Sequence, residues 1–205
     1  MLTGISLGPG DPGLLTLKAT EALKRCQKVF VPGEMAAELS RPYCRPEILE
    51  FPMVEDPAEL EAIWAKNADI VAEVALQGES GFACIGDVST FSTFTHLKRV
   101  LLQRHPSIEV EAIAGVGVVP ALASRFGIGL DKSFTVSDGS EVDMVIRMKA
   151  TRPRKMAEDL KQKGFDEFIL GIKLCTPEEK VIRGDLGDLP EKSGYFSVLY
   201  ARRKK

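Results

Sequence analysis

The residues best placed to contact a ligand form three glycine-containing loops, each directly after a predicted strand. Residues 8–13 read Gly-Pro-Gly-Asp-Pro-Gly, residues 86–93 read Gly-Asp-Val-Ser-Thr-Phe-Ser-Thr, and residues 114–117 read Ala-Gly-Val-Gly. In open α/β sheets, ligands bind in the crevice outside the carboxyl ends of the strands. The repeated placement therefore predicts a ligand site lined by the three loops.

The first loop has the GxGxxG spacing of dinucleotide-binding turns, but its composition opposes a phosphate ligand. Pro9 and Pro12 have no N–H group to donate to a pyrophosphate, and Asp11 would place a negative charge beside it. The loop therefore suits a ligand without phosphate groups, or it is a plain tight turn. The second loop likewise has a plain interpretation, in which Asp87 or Ser89 caps the following helix.

Periodic patterns predict the elements that position these loops. Helices are predicted after Thr16 as N-cap and over residues 57–76, 90–104, 117–126 and Pro153–Lys163. Strands are predicted at Leu2–Leu7, 29–31, 82–85, Ile108–Ile113, Phe134–Val136, Asp143–Met148, Glu167–Leu174 and Tyr195–Ala201. Residues 34–56 are predicted to be irregular, with a short strand near 48–51.

The order of these elements predicts an α/β protein made of two α/β domains. The glycines near 114–117 are predicted to form the hinge between them, so that residues 1–113 form an N-terminal domain and residues 114–205 a C-terminal domain.

Composition excludes several function classes. The chain has 205 residues, a net charge of −2 and 44% hydrophobic residues, which predicts a soluble globular protein without affinity for nucleic acid. No apolar run reaches the ~18–20 residues of a membrane span. The four cysteines are far apart and there are two histidines, so no metal site is predicted and the thiols are expected to be reduced and structural.

The three loops, in this order, resemble those of the tetrapyrrole (corrin/porphyrin) methylase family. GISLGPGDPGLLTLKATEAL resembles the family's N-terminal glycine-rich motif. GDVSTFSTFTHL and the C-terminal GYFSVLYARR resemble the forms found in its precorrin-2/cobalt-factor II C-20 methyltransferases. Two positions depart from the usual family pattern, Val88 and Ala114, where proline is common.

The resemblance implies the cofactor S-adenosylmethionine, which carries no phosphate, bound in a cleft between two α/β domains. It implies methyl transfer to C-20 of precorrin-2 or cobalt-factor II in cobalamin biosynthesis, by a cytoplasmic homodimer. Methyl transfer from a sulfonium to an electron-rich ring carbon needs no activated side-chain nucleophile, so the protein mainly positions the reactants and excludes water. A modest base would help the later loss of a proton from C-20.

Matching the family's motifs gives the candidate site residues. Asp87 is predicted to lie nearest the reacting centre, and Lys149 and Tyr195 are predicted to act on the substrate side, Lys149 by pairing with a substrate carboxylate. Expected cofactor contacts come from Pro9, Gly86, Asp87, Val88, Phe91, Ser92, Thr93, Gly115, Val116, Gly117, Met148, Leu170 and Ile172.

Two further features leave alternatives open. Five cations lie within residues 147–155 and are a candidate surface for steering a polycarboxylate substrate, or a solvated face. Three other functions are retained: another ring methylase acting at C-11 or C-17, or a relative acting on protein or RNA; an NAD-dependent oxidoreductase; and a non-catalytic binding module.

Overall fold

A computed structural model describes residues 1–52 and 56–203 of the chain. The backbone groups into two compact units, Met1–Lys132 and Ser133–Lys205. The predicted domain boundary, after residue 113, assigns residues 114–132 to the second half, whereas the structure groups them with the first unit.

The first unit contains a parallel sheet with helices on both faces. Its elements are β1 (Leu2–Ser6), α1 (Leu17–Arg25), β2 (Lys28–Val31), α2 (Glu34–Ser40), β3 (Glu47–Ile48), α3 (Pro57–Ala75), β4 (Ser80–Cys84), α4 (Thr93–Arg104), β5 (Val110–Ile113) and α5 (Val118–Phe126). The strand order is β3-β2-β4-β1-β5. Strands β4, β1 and β5 are therefore neighbours, although long stretches of chain separate them.

The central strands β1 and β4 are buried along their whole length, as expected for a parallel sheet covered on both faces. Leu2 and Phe82 pack on one face with Val71 of α3 and Leu97 of α4. The opposite face packs against α1 and α2 in a second cluster, which contains Ile5, Leu7, Ala19, Leu23, Val29 and Ala36. The helices thus hold β1, β4 and β5 side by side in one sheet. Because these strands are parallel, the loops that follow them emerge at the same end of the sheet.

The second unit is an antiparallel sheet with one helix packed against it. Its elements are β6 (Met144–Met148), α6 (Pro153–Lys161), β7 (Glu167–Ile172), β8 (Lys180–Gly184) and β9 (Ser197–Arg202), with strand order β6-β9-β7-β8. Leu170 and Leu199 pack against Ala157 and Leu160 of α6 to form its core.

Most predicted elements are confirmed, including the Thr16 cap of α1, whose side chain accepts a hydrogen bond from Ala19 N at 3.1 Å. The strand predicted at Phe134–Val136 is wrong, because this three-residue run pairs with no neighbouring strand and its large side chains are exposed. The prediction that 34–56 is irregular missed helix α2, whose Ala36, Ala37 and Leu39 are buried. Residues 53–55 of that segment lie outside the described residues.

Helices α3 and α4 pack side by side on one face of the first sheet. Asp56 caps its N-terminus by accepting a hydrogen bond from Ala58 N at 2.9 Å. Asp69 in its middle forms two hydrogen bonds with the Arg104 guanidinium at 2.9 and 2.6 Å, and lies 2.8 Å from His105 Nε2. The hydrogen bonds from Arg104 contribute most, and together with the contact to His105 they lower the pKa of the Asp69 carboxyl to about 2.

In the described part of the chain, no helix combines the length and apolar character needed to cross a membrane.

Two fully buried serines on neighbouring strands differ in whether the hydroxyl forms hydrogen bonds, and this difference predicts opposite effects on stability. Ser6 Oγ donates to Ile113 O at 2.6 Å and accepts from Val88 N at 3.0 Å, whereas Ser80 Oγ has no hydrogen-bond partner among the described residues. Ser80→Ala is expected to raise the free energy of unfolding by ~1 kcal/mol, because it removes a desolvated and unpaired hydroxyl. Ser6→Ala is expected to lower it by ~1–3 kcal/mol. Denaturant unfolding of both variants measures this contrast, and equal losses in the two would contradict it.

The Asp69 contacts predict an acid-dependent contribution to stability. The pKa of Asp69 in the folded chain lies below the ~3.9 of an unfolded Asp, so its contribution is present above that value and is lost as pH falls toward the folded-state pKa. Asp69→Asn should cost less than ~1 kcal/mol at neutral pH, because the pair is exposed to solvent. The difference from wild type should shrink between about pH 4 and about pH 2. Urea unfolding at several pH values measures the difference in unfolding free energy between wild type and Asp69→Asn, and the series is repeated in an Arg104→Met background. A difference that does not change with pH would count against the ion pair.

Candidate functional site

The first and second glycine loops are joined by their backbones at the edge of the parallel sheet. Gly86 N donates to Gly8 O at 2.6 Å, and Gly8 N donates to Gly86 O at 3.2 Å. Both residues have left-handed φ angles, +72° for Gly8 and +77° for Gly86, which glycine adopts without strain. A Cβ on Gly8 would lie 3.0 Å from Leu14 O, whereas one on Gly86 would meet no atom within 4 Å, so Gly86 leaves backbone surface available to a ligand.

A buried hydroxyl connects the same region to the third loop. Ser6, the last residue of β1, donates to the Ile113 carbonyl at the end of β5 and accepts from Val88 N in the second loop. A Cβ atom built on Gly115 would lie 2.3 Å from the Cβ of Ser6, which is far inside van der Waals contact. Position 115 therefore requires glycine if the third loop is to pack on Ser6.

The Asp87 carboxylate cross-links the second and third loops. Its Oδ1 accepts a hydrogen bond from Ser89 N and its Oδ2 accepts one from Gly115 N, both at 2.8 Å. Each carboxylate oxygen is thus bound to a backbone N–H group of a different loop. The interpretation of Asp87 or Ser89 as the cap of α4 is wrong, because Ser92 caps that helix by accepting from Phe94 N at 3.1 Å. The catalytic role of Asp87 stays a prediction.

The other predicted loop contacts differ in what their side chains can offer. Pro9, Gly115, Val116 and Gly117 are half-buried, and Thr93 is the first residue of α4. Phe91 is 69% exposed and has a left-handed φ of +47°, whereas Val88 is fully buried in the core and Ser92 is occupied as a helix cap. Val88 and Ser92 therefore offer a ligand mainly backbone groups.

In the second unit, the three predicted cofactor contacts lie in different environments. Met148 ends β6 and is 73% exposed. Leu170 is fully buried in the core against α6, and Ile172 packs partly buried against the same core. Their contact with a cofactor stays a prediction, and for Leu170 the buried side chain is engaged in packing.

The structure brings Lys149 and Tyr195 together, although they are far apart in sequence. The Lys149 ammonium lies 5.2 Å from the centre of the Tyr195 ring, and a hydrogen bond to Tyr195 raises the pKa of Lys149. The other cations of 147–155 are used differently. Arg154 donates to Leu189 O at 2.9 Å, and Arg147 lines a cavity of about 350 Å³ beside α6 together with Asp159.

Sequence reasoning missed two residues that the structure places at these positions. Ser6 ends strand β1, whose other hydroxyl residue is Thr3, and a serine at the carboxyl end of a buried strand, two residues before the first loop, is the signal that could have identified it. Phe196 contacts the predicted Tyr195 edge to face, with ring centres 5.6 Å apart, and is 73% exposed. No periodic pattern indicated that Phe196 would be exposed.

Thiol and metal chemistry have little support in the described residues. Burial raises the pKa of the Cys26 thiol to about 12 and that of Cys84 to about 11, so both stay protonated at neutral pH. Cys44 is half-buried and its pKa is also raised by burial, while Cys175 is exposed. Within residues 1–52 and 56–203, no group of three or more His, Cys, Asp or Glu side chains is arranged to hold a metal ion.

Comparison with known proteins gives a consistent set of relatives. The sequence model of the tetrapyrrole (corrin/porphyrin) methylases matches residues 1–190. A Methanocaldococcus jannaschii protein named "probable cobalt-precorrin-2 C(20)-methyltransferase" is 31% identical over 98% of this chain and 96% of its own length. The cobalt-precorrin-2 C(20)-methyltransferase of Salmonella typhimurium is 33% identical over 60% of this chain and 56% of its own length.

Solved structures share the fold. The methyltransferase CobJ superposes with a TM-score of 0.52 at 19% identity, covering 98% of this chain and 93% of that one. A putative cobalamin synthesis related protein, CobF, from Corynebacterium diphtheriae superposes with a TM-score of 0.55 at 14% identity, covering 100% and 99%. These likenesses confirm the predicted α/β fold class.

The two hydrogen bonds of Asp87 predict a measurable effect on the loops. In Asp87→Asn the amide supplies one acceptor oxygen and places an NH₂ group against the other backbone N–H, so one loop contact is lost. We expect a loss of ~1–3 kcal/mol in unfolding free energy and faster hydrogen exchange at the Gly115 amide.

Asp138→Asn is the matched control for this variant. Asp138 forms a similar local hydrogen bond, from Ser140 N at 3.0 Å, but lies in an exposed loop. If Asp87→Asn changes stability and Gly115 exchange no more than Asp138→Asn does, Asp87 does not hold the loops together.

Proposed function

Because the chain belongs to the tetrapyrrole (corrin/porphyrin) methylase family, we propose that it transfers a methyl group from S-adenosylmethionine to C-20 of precorrin-2 or cobalt-factor II in cobalamin biosynthesis. The observation that carries this proposal is the M. jannaschii relative, named for C-20 methylation, which aligns with nearly the whole of both chains. The chain's GDVSTFSTFTHL segment, which resembles the C-20 form of the second loop, supports the same position on the ring.

The loop chemistry fits S-adenosylmethionine. Ideal Cβ atoms built on Gly10 and Gly86 meet no other atom within 4 Å, so both positions leave open space above the backbone. Pro9 and Pro12 donate no hydrogen bonds, and the Asp11 carboxylate, which accepts from Gly13 N at 2.8 Å, adds negative charge. A cationic sulfonium donor without phosphate suits such a loop, whereas a pyrophosphate does not.

When bound, S-adenosylmethionine supplies an electrophilic methyl group. The three glycine loops of the first unit would hold it, with Pro9, Gly86, Phe91 and Gly115 as the proposed contacts. The chain's own contribution is to fix the loops, since orientation at near-attack distance can account for much of such a rate enhancement. The Ser6 and Asp87 hydrogen bonds hold the loops to one another.

Loss of the C-20 proton after methylation needs an acceptor. Asp87 is the proposed acceptor for this proton, and Lys149 and Tyr195 are proposed to hold the substrate. A carboxylate has about four lone-pair sites, so Asp87 can bind Ser89 N and Gly115 N and still accept a further hydrogen bond.

We further propose a cytoplasmic homodimer. One face of β6 presents Met144 and Ile146, which are 57% and 68% exposed, and a second copy would cover apolar surface of this kind. The four free cysteines would stay reduced in the cytoplasm.

Calorimetric titration separates the proposed methyltransferase from an oxidoreductase. S-adenosylhomocysteine is expected to bind, and at 100 times its Kd to stabilise the fold by ~2.7 kcal/mol, whereas NAD is expected to give no heat. Binding of NAD in place of S-adenosylhomocysteine would overturn the proposal.

A methyl-transfer assay then tests the ring position. Incubation with S-adenosylmethionine and either precorrin-2 or cobalt-factor II should give a product one methyl group heavier, with the new carbon at C-20 by NMR. A new methyl at C-11 or C-17 would instead support another ring methylase. Binding of S-adenosylhomocysteine without transfer to any tetrapyrrole would support a relative acting on other substrates or a binding module.

A further inference from the structure

Two lysines at one edge of the second unit have a backbone conformation that lysine rarely adopts. Lys149 directly follows β6 with φ +55°, and Lys173 directly follows β7 with φ +47°. Both strands run antiparallel to β9, so their carboxyl ends lie at the end of the sheet where β9 begins. Residues other than glycine usually avoid this region, and strained residues concentrate at functional sites.

Backbone hydrogen bonds hold the turn at Lys149 in place. Ala150 N donates to Ser197 O at 2.9 Å, and Thr151 N donates to Lys149 O at 2.7 Å. Ser193 N in turn donates to Thr151 O at 2.9 Å. The turn after β6 is therefore fixed against the segment that leads into β9, which is what allows a left-handed lysine to persist.

The two lysines differ in how their charges are used. The Lys173 ammonium forms an ion pair with Glu178. In the part of the chain that the structure describes, Lys149 has no such acidic partner, and its ammonium lies 5.2 Å from the centre of the Tyr195 ring. Lys149 thus presents an unneutralised cation beside a phenol, and both groups can donate a hydrogen bond to the same anion.

The surface around Lys149 is apolar and aromatic. Tyr195 is 57% exposed and contacts Phe196 edge to face, while Phe196 and Met148 are each 73% exposed. Exposed aromatic and thioether groups beside the Lys149 ammonium match a flat, apolar molecule that carries a carboxylate at its rim.

We propose that Lys149 and Tyr195 bind a side-chain carboxylate of the tetrapyrrole substrate, with Phe196 and Met148 contacting the adjacent apolar ring. This inference rests on the proposed function and names residues that would determine its substrate specificity. Glycine would suit the backbone at position 149 better, so the lysine is explained by its charge rather than by the fold.

A porphyrin probe and its ester test this proposal independently of catalysis. Binding of uroporphyrin III, whose side chains end in carboxylates, is measured by fluorescence titration and compared with binding of its methyl ester, which has the same ring without the charges. Wild type is expected to bind the acid at least tenfold more tightly than the ester. Lys149→Gly is expected to lose roughly tenfold to hundredfold in affinity for the acid, as for a lost charge-assisted hydrogen bond, and little for the ester.

Matched variants separate this role from a structural one. Lys149→Gly and Lys149→Asn both tolerate a left-handed φ, so neither should lower the melting temperature. Lys173→Gly relieves the same backbone strain but removes a lysine already paired with Glu178, and should leave acid binding within about twofold. Tyr195→Phe keeps the ring and removes the hydroxyl, and should weaken acid binding less than Lys149→Gly does.

The outcomes distinguish the two proposals. If Lys149→Gly binds acid and ester as wild type does, or weakens both equally, the carboxylate role of Lys149 is overturned whatever the enzyme's activity. If wild type discriminates acid from ester through Lys149 but transfers no methyl group to C-20, the proposed function fails and the anion site stands. In the active enzyme, Lys149→Gly should raise KM for the tetrapyrrole and leave S-adenosylhomocysteine affinity unchanged.

Discussion

The arrangement of the three glycine loops depends on two polar side chains at the edge of a parallel sheet. The Ser6 hydroxyl joins the end of β1 to Ile113 and to Val88, and the Asp87 carboxylate joins the second loop to Gly115. The first two loops are also joined by the Gly8–Gly86 backbone bridge, in which the third loop takes no part. Because the Ser6 bonds are fully buried, losing one would leave a desolvated polar group with no water to replace it, which makes the junction stiff.

This stiffness suits the reaction proposed for the chain. Methyl transfer from a sulfonium to a nucleophilic ring carbon asks the protein for orientation and exclusion of water rather than for an activated side chain. Asp87, which the sequence suggested as a reacting group, has both oxygens engaged in holding loops. Its carboxylate therefore stabilises the site first, and any role toward the substrate would use its remaining lone pairs.

In the second unit, left-handed backbone conformations occur in the turns that follow β6 and β7. Three of the non-glycine residues with left-handed φ among the described ones, Lys149, Lys173 and Cys175, follow strand ends in this unit. At these positions a side chain other than hydrogen carries a backbone cost that glycine would avoid. In the first unit, Phe91 in the second loop shows the same combination of left-handed backbone and exposed side chain.

Sequence alone determined the features that arise from neighbours along the chain. Periodicity located most helices and strands, and the Thr16 cap was predictable from its position before a helical pattern. The ordered motifs were specific enough to identify the family. Strand β8 and helix α2 were missed because a short charged edge strand and a seven-residue helix carry too little periodic signal.

Only the tertiary structure decided which distant groups meet. The partners of Ser6 lie 82 and 107 residues away and the Gly115 bond of Asp87 spans 28 residues, so no local pattern records them. The same holds for Lys149 and Tyr195, which become neighbours because β6 pairs with β9. Local propensity depends on each residue and its near neighbours, whereas these contacts depend on strand order and register, which are fixed when the whole sheet packs.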